Sequence, residues 1–107
     1  MKKIIEIDTR AERELSRFPK AVQREFQSLF EILEQDGKLD PPCAKKITKD
    51  LFEIRVRYQG QWRALYAYLK HNAVIILSAF RKKTQTTPLK EIHKAEHRLQ
   101  QYLFHLN

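Results

Sequence analysis

Between Leu51 and Phe80 the sequence leaves room for little besides three consecutive strands. The runs Leu51–Tyr58, Gln61–Leu69 and Ala73–Phe80 are rich in apolar and aromatic residues, and only Gln59-Gly60 and Lys70-His71-Asn72 separate them. Connections of two and three residues reverse a chain as hairpins, so the three strands are expected to be antiparallel neighbours. The last begins Ala73-Val74-Ile75-Ile76-Leu77 and is apolar nearly throughout, which fits a central strand covered on both faces.

The flanking segments supply the cover. Lys3–Ile7 reads as a short strand, with Asp8 or Thr9 able to cap a helix after it. Ala11, Leu15 and Phe18 recur at helical spacing until Pro19 interrupts. A second helix starts near Lys20, carries the stripe Val22, Phe26, Leu29, Phe30 and Leu33, and stops at Gly37. Lys38–Lys49, with Pro41-Pro42, is expected to be a loop. Pro88 suits the first turn of a terminal helix capped by Thr87, with Leu89, Ile92, Ala95, Leu99, Tyr102 and Leu103 on one face. The expected order is βααβββα, a compact α+β domain over 1–107. An antiparallel sheet is packed by an N-terminal helical hairpin and a C-terminal helix.

At 107 residues, with 42% hydrophobic content, the chain can bury one core. Its single cysteine, Cys43, excludes an internal disulfide framework and a thiolate cluster. No apolar run approaches the roughly 18–20 residues of a membrane span. After Met1-Lys2-Lys3 only Ile4-Ile5 precede Glu6, too short for a signal-peptide core, so a cytoplasmic protein without membrane contact is expected.

Charge is distributed unevenly. Residues 1–40 hold 8 Lys/Arg against 9 Asp/Glu, a net of −1, whereas residues 41–107 hold 13 against 4, a net of +9. Alternation on the first strand of the trio sends Phe52, Ile54 and Val56 towards the helical hairpin, and Glu53, Arg55 and Arg57 the other way. Arg63 on the next strand lies close by. Like charges at neighbouring sheet positions repel, so an anion must compensate, and phosphate or an acidic protein segment would serve. Arg81-Lys82-Lys83-Thr84-Gln85 extends this face towards a helix N-terminus, where free N–H groups favour anions. The set suits a phosphodiester better than a lipid surface, because no apolar insertion helix accompanies it.

His93 and His97, within His93-Lys94-Ala95-Glu96-His97, form an H-x-x-E-H pattern, but nothing announces a third ligand. They read as a solvent-facing pair, and no metal or cofactor is expected. Trp62, Tyr66 and Tyr68 share one strand face and read as core, while Tyr58 beside the Gln59-Gly60 turn is freer to stack on a base.

Leu51-Phe52-Glu53-Ile54-Arg55-Val56, Trp62-Arg63-Ala64-Leu65-Tyr66, and Phe80-Arg81-Lys82-Lys83-Thr84-Gln85 through Pro88, Glu91-Ile92 and Ala95 occur in a specific order and spacing. In this the chain resembles the HigB-like, phage-derived branch of the RelE/ParE toxin superfamily, over about residues 45–103. The resemblance implies a RelE-like fold and a toxin paired with an antitoxin, usually of helix-turn-helix type. It implies a metal-free endoribonuclease that cleaves translated mRNA on the ribosome. Arg55, Arg63, and Arg81 or Lys83 match basic positions of RelE-like nucleases. Glu53 stands where those toxins carry lysine, and no tyrosine follows the Arg81-Lys82-Lys83 cluster.

For such cleavage the ribose 2′-OH attacks the adjacent phosphorus, cations stabilise the phosphorane, and an acid protonates the leaving 5′-oxygen. Arg63 and Arg81 are the expected phosphorane ligands. Lys82 and Lys83 hold the RNA backbone, and one could act as the acid if neighbouring cations lower its pKa. Arg55, Arg57, Lys45 and Lys46 complete the RNA-binding set. Glu53 is a candidate general base or, alternatively, a charge-balancing partner of Arg55 or Arg57. Two other functions stay open: a ParE-like, non-enzymatic inhibitor of DNA gyrase, and a nucleic-acid-binding regulator active only with its partner.

Overall fold

Local chemistry sets the element boundaries in the computed structural model, which describes residues 2–106; Met1 and Asn107, the ends of the expected domain, lie outside the described residues. Strand β1 spans Ile4–Ile7 and helix α1 Thr9–Ser16. The Asp8 carboxylate caps α1 by accepting from the Arg10 backbone N–H at 2.8 Å. Pro19 lets the chain break before helix α2, Lys20–Asp36. That helix ends at Gly37, whose φ of 78° is the left-handed cap expected of glycine.

Strands β2 (Ala44–Lys46), β3 (Phe52–Arg57), β4 (Gln61–Leu69) and β5 (Ala73–Lys82) and helix α3 (Leu89–Leu106) complete the order. As expected, β3, β4 and β5 form an antiparallel meander. The five-stranded sheet runs β1-β5-β4-β3-β2, with two departures from expectation. Part of the expected Lys38–Lys49 loop is β2, which pairs with the first half of β3, so the order gains a strand and becomes βααββββα. A three-residue strand has too little pattern to show before its partner is in place. In addition, β1 pairs with β5 in parallel, so the sheet is mixed. Four apolar-rich residues identify a strand but not the direction of its neighbour.

The sheet separates two cores. On one face Ala11, Val22, Phe26, Leu29, Phe30 and Leu33 of α1 and α2 pack against Ile54, Val56, Trp62, Ala64, Tyr66, Val74, Ile76 and Ala79. On the other, Ala95 and Leu99 of α3 cover Leu51, Leu65, Ala67, Ile75, Leu77 and Phe80. Each fully buried large apolar side chain contributes about 1.5–3 kcal/mol. Truncating Phe26, at the centre of the first core, should cost about 3–5 kcal/mol.

One irregularity governs which residues face which core. Leu65 pairs with Ser78 but Tyr66 pairs with Ile76, which leaves Leu77 as the extra residue of a β-bulge. Below the bulge Ile75 and Leu77 face α3; above it Phe80 does, while Ala79 faces the helical hairpin. The bulge thus reverses the alternation for the end of β5.

Beyond the end of β1, side chains replace a neighbouring strand along β5. Asp8 makes the last backbone bond, from its N–H to Ile76 O at 2.9 Å. Farther on, the Ala79 N–H donates to Glu14 Oε1 at 3.0 Å and Arg98 Nη1 donates to Leu77 O at 2.9 Å. Arg98 also grips both Glu14 oxygens at 3.0 Å, joining α1, β5 and α3 around peptide groups that would otherwise lack partners.

Candidate RNA-binding site on the uncovered half of the sheet

Helix α3 packs over β4 and β5 and leaves the remainder of its face, on β2, β3 and the open end of β4, without a helix. Register places Lys45 beside Glu53, Arg55 beside Arg63, and Arg57 beside Gln61, which in turn pairs with Lys82. Two guanidinium side chains therefore sit directly across from each other, an arrangement that is destabilising without an intervening anion.

That anion is Glu53. Its side chain has no exposed surface, and its Oε1 lies 3.2 Å from Arg55 Nε and 3.4 Å from Arg63 Nε. Its Oε2 accepts a hydrogen bond from the Thr87 hydroxyl. Thr87, expected to cap α3, instead ties the segment before that helix to the centre of the basic face. The Pro88 carbonyl accepts the first helical bonds, from Glu91 and Ile92. Nothing in the sequence marked Thr87 for this contact, which spans 34 positions.

The two arginines differ in what remains free. Arg63 is 6% exposed: Nη1 donates to Trp62 O at 2.9 Å and Nη2 to Gln61 Oε1 at 3.0 Å, while the buried Nε faces Glu53 as an ion pair at 3.4 Å without a hydrogen bond. Burial is the main cause holding its pKa below the ordinary value, with Glu53 opposing this and Arg55 and Arg57 adding to it. The Arg55 side chain is 33% exposed and fixed through Nε. Its two Nη groups make no hydrogen bond among the described residues, which leaves a planar fork held from behind.

Lys82 lines a cleft of about 250 Å³ together with Lys45, Glu53, Arg55 and Thr87. Burial lowers its pKa; Glu53 opposes this, and the charges of Arg63, Arg55 and Lys45 lower it further. Arg57 is exposed at the end of β3 and lines an adjoining cleft of about 440 Å³ with Arg55, Arg63 and Cys43.

Arg81 does not join this set. The bulge turns it to the hairpin face, where its guanidinium lies 5.2 Å from the Trp62 ring centroid and donates to Gln59 O at 3.2 Å. There it closes over the β3–β4 turn: a Cβ at Gly60, φ 142°, would fall 2.9 Å from Arg81 Nη2. Arg63 and Arg81, the expected phosphorane ligands, are thus not brought together, whereas Arg55 and Lys82 line one cleft. Lys83 is exposed just beyond β5 and outside the cleft lining. Lys46 reaches the edge of the cleft, with its ammonium 6.0 Å from the Phe52 ring centroid.

Among the other residues singled out, His93 and His97 are exposed. Trp62 and Tyr66 are buried, whereas Tyr68 and Tyr58 are partly exposed at 37% and 42%. Among the described residues no group of three or more His, Cys, Asp or Glu is placed to hold a metal ion, and no helix is long and apolar enough to cross a membrane.

Comparisons with known proteins agree with this architecture. The free E. coli RelE toxin, as a double arginine-to-alanine mutant, superposes with a TM-score of 0.72 at 16% identity, covering 92% of this chain and 98% of its own. The RelE–RelB complex of Pyrococcus horikoshii matches at 0.60 with 24% identity, covering 80% and 100%. The RelBE2 toxin–antitoxin complex of Mycobacterium tuberculosis matches at 0.60 with 20% identity, covering 77% and 100%. At these identities the likeness establishes a RelE-like fold. No curated protein matches the sequence. A model of the phage-derived Gp49-like proteins matches residues 13–100, most of the chain including both clefts. The chain belongs to the phage-derived Gp49-like protein family.

Proposed function

We propose that this protein is the toxin of a type II toxin–antitoxin pair, of the HigB-like kind, and that it cleaves mRNA on the translating ribosome without a metal. The observation that carries the reading is the Arg55 fork, held by buried Glu53, in one cleft with Lys82. The RelE-like fold supports it, as do structural neighbours described as toxins and toxin–antitoxin complexes. A cognate antitoxin is the implied partner, with ribosome and mRNA as the target in the cytoplasm.

In this reading the Arg55 Nη groups take two non-bridging oxygens of the scissile phosphate and strengthen their hold as negative charge develops in the phosphorane. As the 2′-oxygen bonds to phosphorus its proton passes to solvent water, and Lys82, with its lowered pKa, donates a proton to the 5′-oxygen as the P–O5′ bond breaks. Glu53 has both oxygens engaged and no exposed surface, so it acts as a positioning residue for Arg55 and Arg63 rather than as the base. Lys45, Lys46, Arg57 and Lys83 line the RNA path as phosphate contacts, which makes affinity fall with salt.

The test is RNA 5′-end mapping after a brief pulse of expression, comparing wild type with Arg55→Ala and Lys82→Ala. New ends within translated frames, lost in both variants and absent when initiation is blocked, are expected. Growth arrest with intact mRNA would sink the reading and direct attention to DNA gyrase.

A further inference from the structure

We propose that the cleft between β2 and the segment Gln85–Thr87 is a subsite for one unpaired purine base, adjoining the phosphate held by Arg55. This deepens the ribonuclease reading and rests on it. At about 250 Å³ the cleft lies below the roughly 300 Å³ at which pockets for drug-sized ligands begin, so it suits one base and not a dinucleotide. Ile47 and Ile92, both half-buried, supply apolar surface for the flat of a ring. Thr87 ties the far wall to Glu53, the same carboxylate that holds Arg55. The spacing between base slot and phosphate fork is therefore set by a single anchor.

The rim chooses the base. Lys45 and Gln85 are exposed at the cleft, and the Gln85 amide makes no hydrogen bond among the described residues. Lysine pairs with O6 and N7 of guanine, and glutamine pairs with N6 and N7 of adenine. Both pairings use N7, an acceptor that pyrimidines lack. Donors also dominate here, since the one carboxylate in the lining is already occupied.

The test is titration of the full-length, ¹⁵N-labelled chain with adenosine, guanosine and uridine 5′-monophosphates, followed by NMR. All three should shift the Arg55 side chain. Only the purine nucleotides should shift the Gln85 side-chain amide and the Thr86 backbone, and they should bind at least about fivefold tighter, the lower end of what a good base-edge contact gives. Gln85→Leu should bring adenosine and uridine nucleotides to equal affinity. Equal affinities in the wild type, or an unmoved Gln85 while Arg55 responds, overturn the subsite and leave the phosphate fork standing. No response at Arg55 to any nucleotide counts against the subsite and the nuclease reading together.

Discussion

Replacing Glu53 with alanine should damage the fold far more than a surface charge change would. The variant leaves the Arg63 guanidinium, on a side chain 7% exposed, without its counter-charge, although its Nη groups keep Trp62 O and Gln61. Removing one member of a buried ion pair costs about 3–5 kcal/mol. Arg55 adds little because its side chain is one-third exposed and solvent screens it. The Thr87 hydroxyl loses its acceptor, worth about 1 kcal/mol. The Arg63 contribution therefore decides the outcome, near 4 kcal/mol. With a urea dependence of about 2 kcal/mol per molar, the unfolding midpoint should fall by about 2 M. Trp62 is the only tryptophan and is 8% exposed, so its fluorescence reports the transition directly. The paired variant Glu53→Met with Arg63→Met removes both charges and should regain most of the loss. A midpoint shift below about 0.5 M for Glu53→Ala, or a double variant weaker than the single one, would refute the argument that Glu53 is the internal counter-ion.

Three further outcomes follow from other parts of the molecule. If Lys82 is the acid, single-turnover cleavage should decline as pH rises through its lowered pKa, earlier than for an exposed lysine; Lys82→Arg should remove that alkaline limb. Burial tends to raise the Glu14 pKa, but Arg98, the Ala79 N–H and Lys94 together hold it below the ordinary value, so its stabilisation is present above the unfolded carboxylate pKa of about 4.3 and lost as pH falls through the lower folded value. Glu14→Gln should therefore flatten the acid side of the stability–pH curve, measured by urea unfolding at stepped pH. Gly60→Ala should cost about 1–3 kcal/mol by forcing a side chain onto a φ of 142°, and should alter Trp62 emission as Arg81 lifts from the indole.

The three-strand meander, both N-terminal helices and the terminal helix were legible because each rests on a local pattern: short connectors, a helical stripe, a capping Asp8 and a stopping Gly37. Strand β2 was not, since three residues acquire meaning only through pairing with β3. The basic face was legible in Glu53, Arg55 and Arg57 because β3 alternates without interruption. Its completion from β5 was not. Simple alternation carried up from Ile75 and Leu77 would bring Arg81 to that face, and the bulge brings Lys82 instead. The repulsion between Arg55 and Arg63 could be read from sequence, and so could Glu53 as a charge-balancing partner of Arg55; its burial, its pairing with Arg63 and its bond from Thr87 could not. The compensating anion is a residue of the same strand, with Thr87 recruited from far along the chain.

The Glu14–Arg98 seal along β5 also governs how copies of this chain can meet. An unpaired sheet edge offers its N–H and C=O groups to any extended segment, the usual beginning of strand-swapped dimers and fibrils. Past the end of β1, the β5 groups at Leu77 and Ala79 are already satisfied, and by an ion pair anchored in two helices. A foreign strand could dock there only by expelling that pair and leaving its charges unmatched, at a cost of several kcal/mol. A short β1 is thereby compatible with a long β5: where β5 first outruns its neighbour, side chains already hold the Leu77 carbonyl and the Ala79 N–H that a foreign strand would meet first.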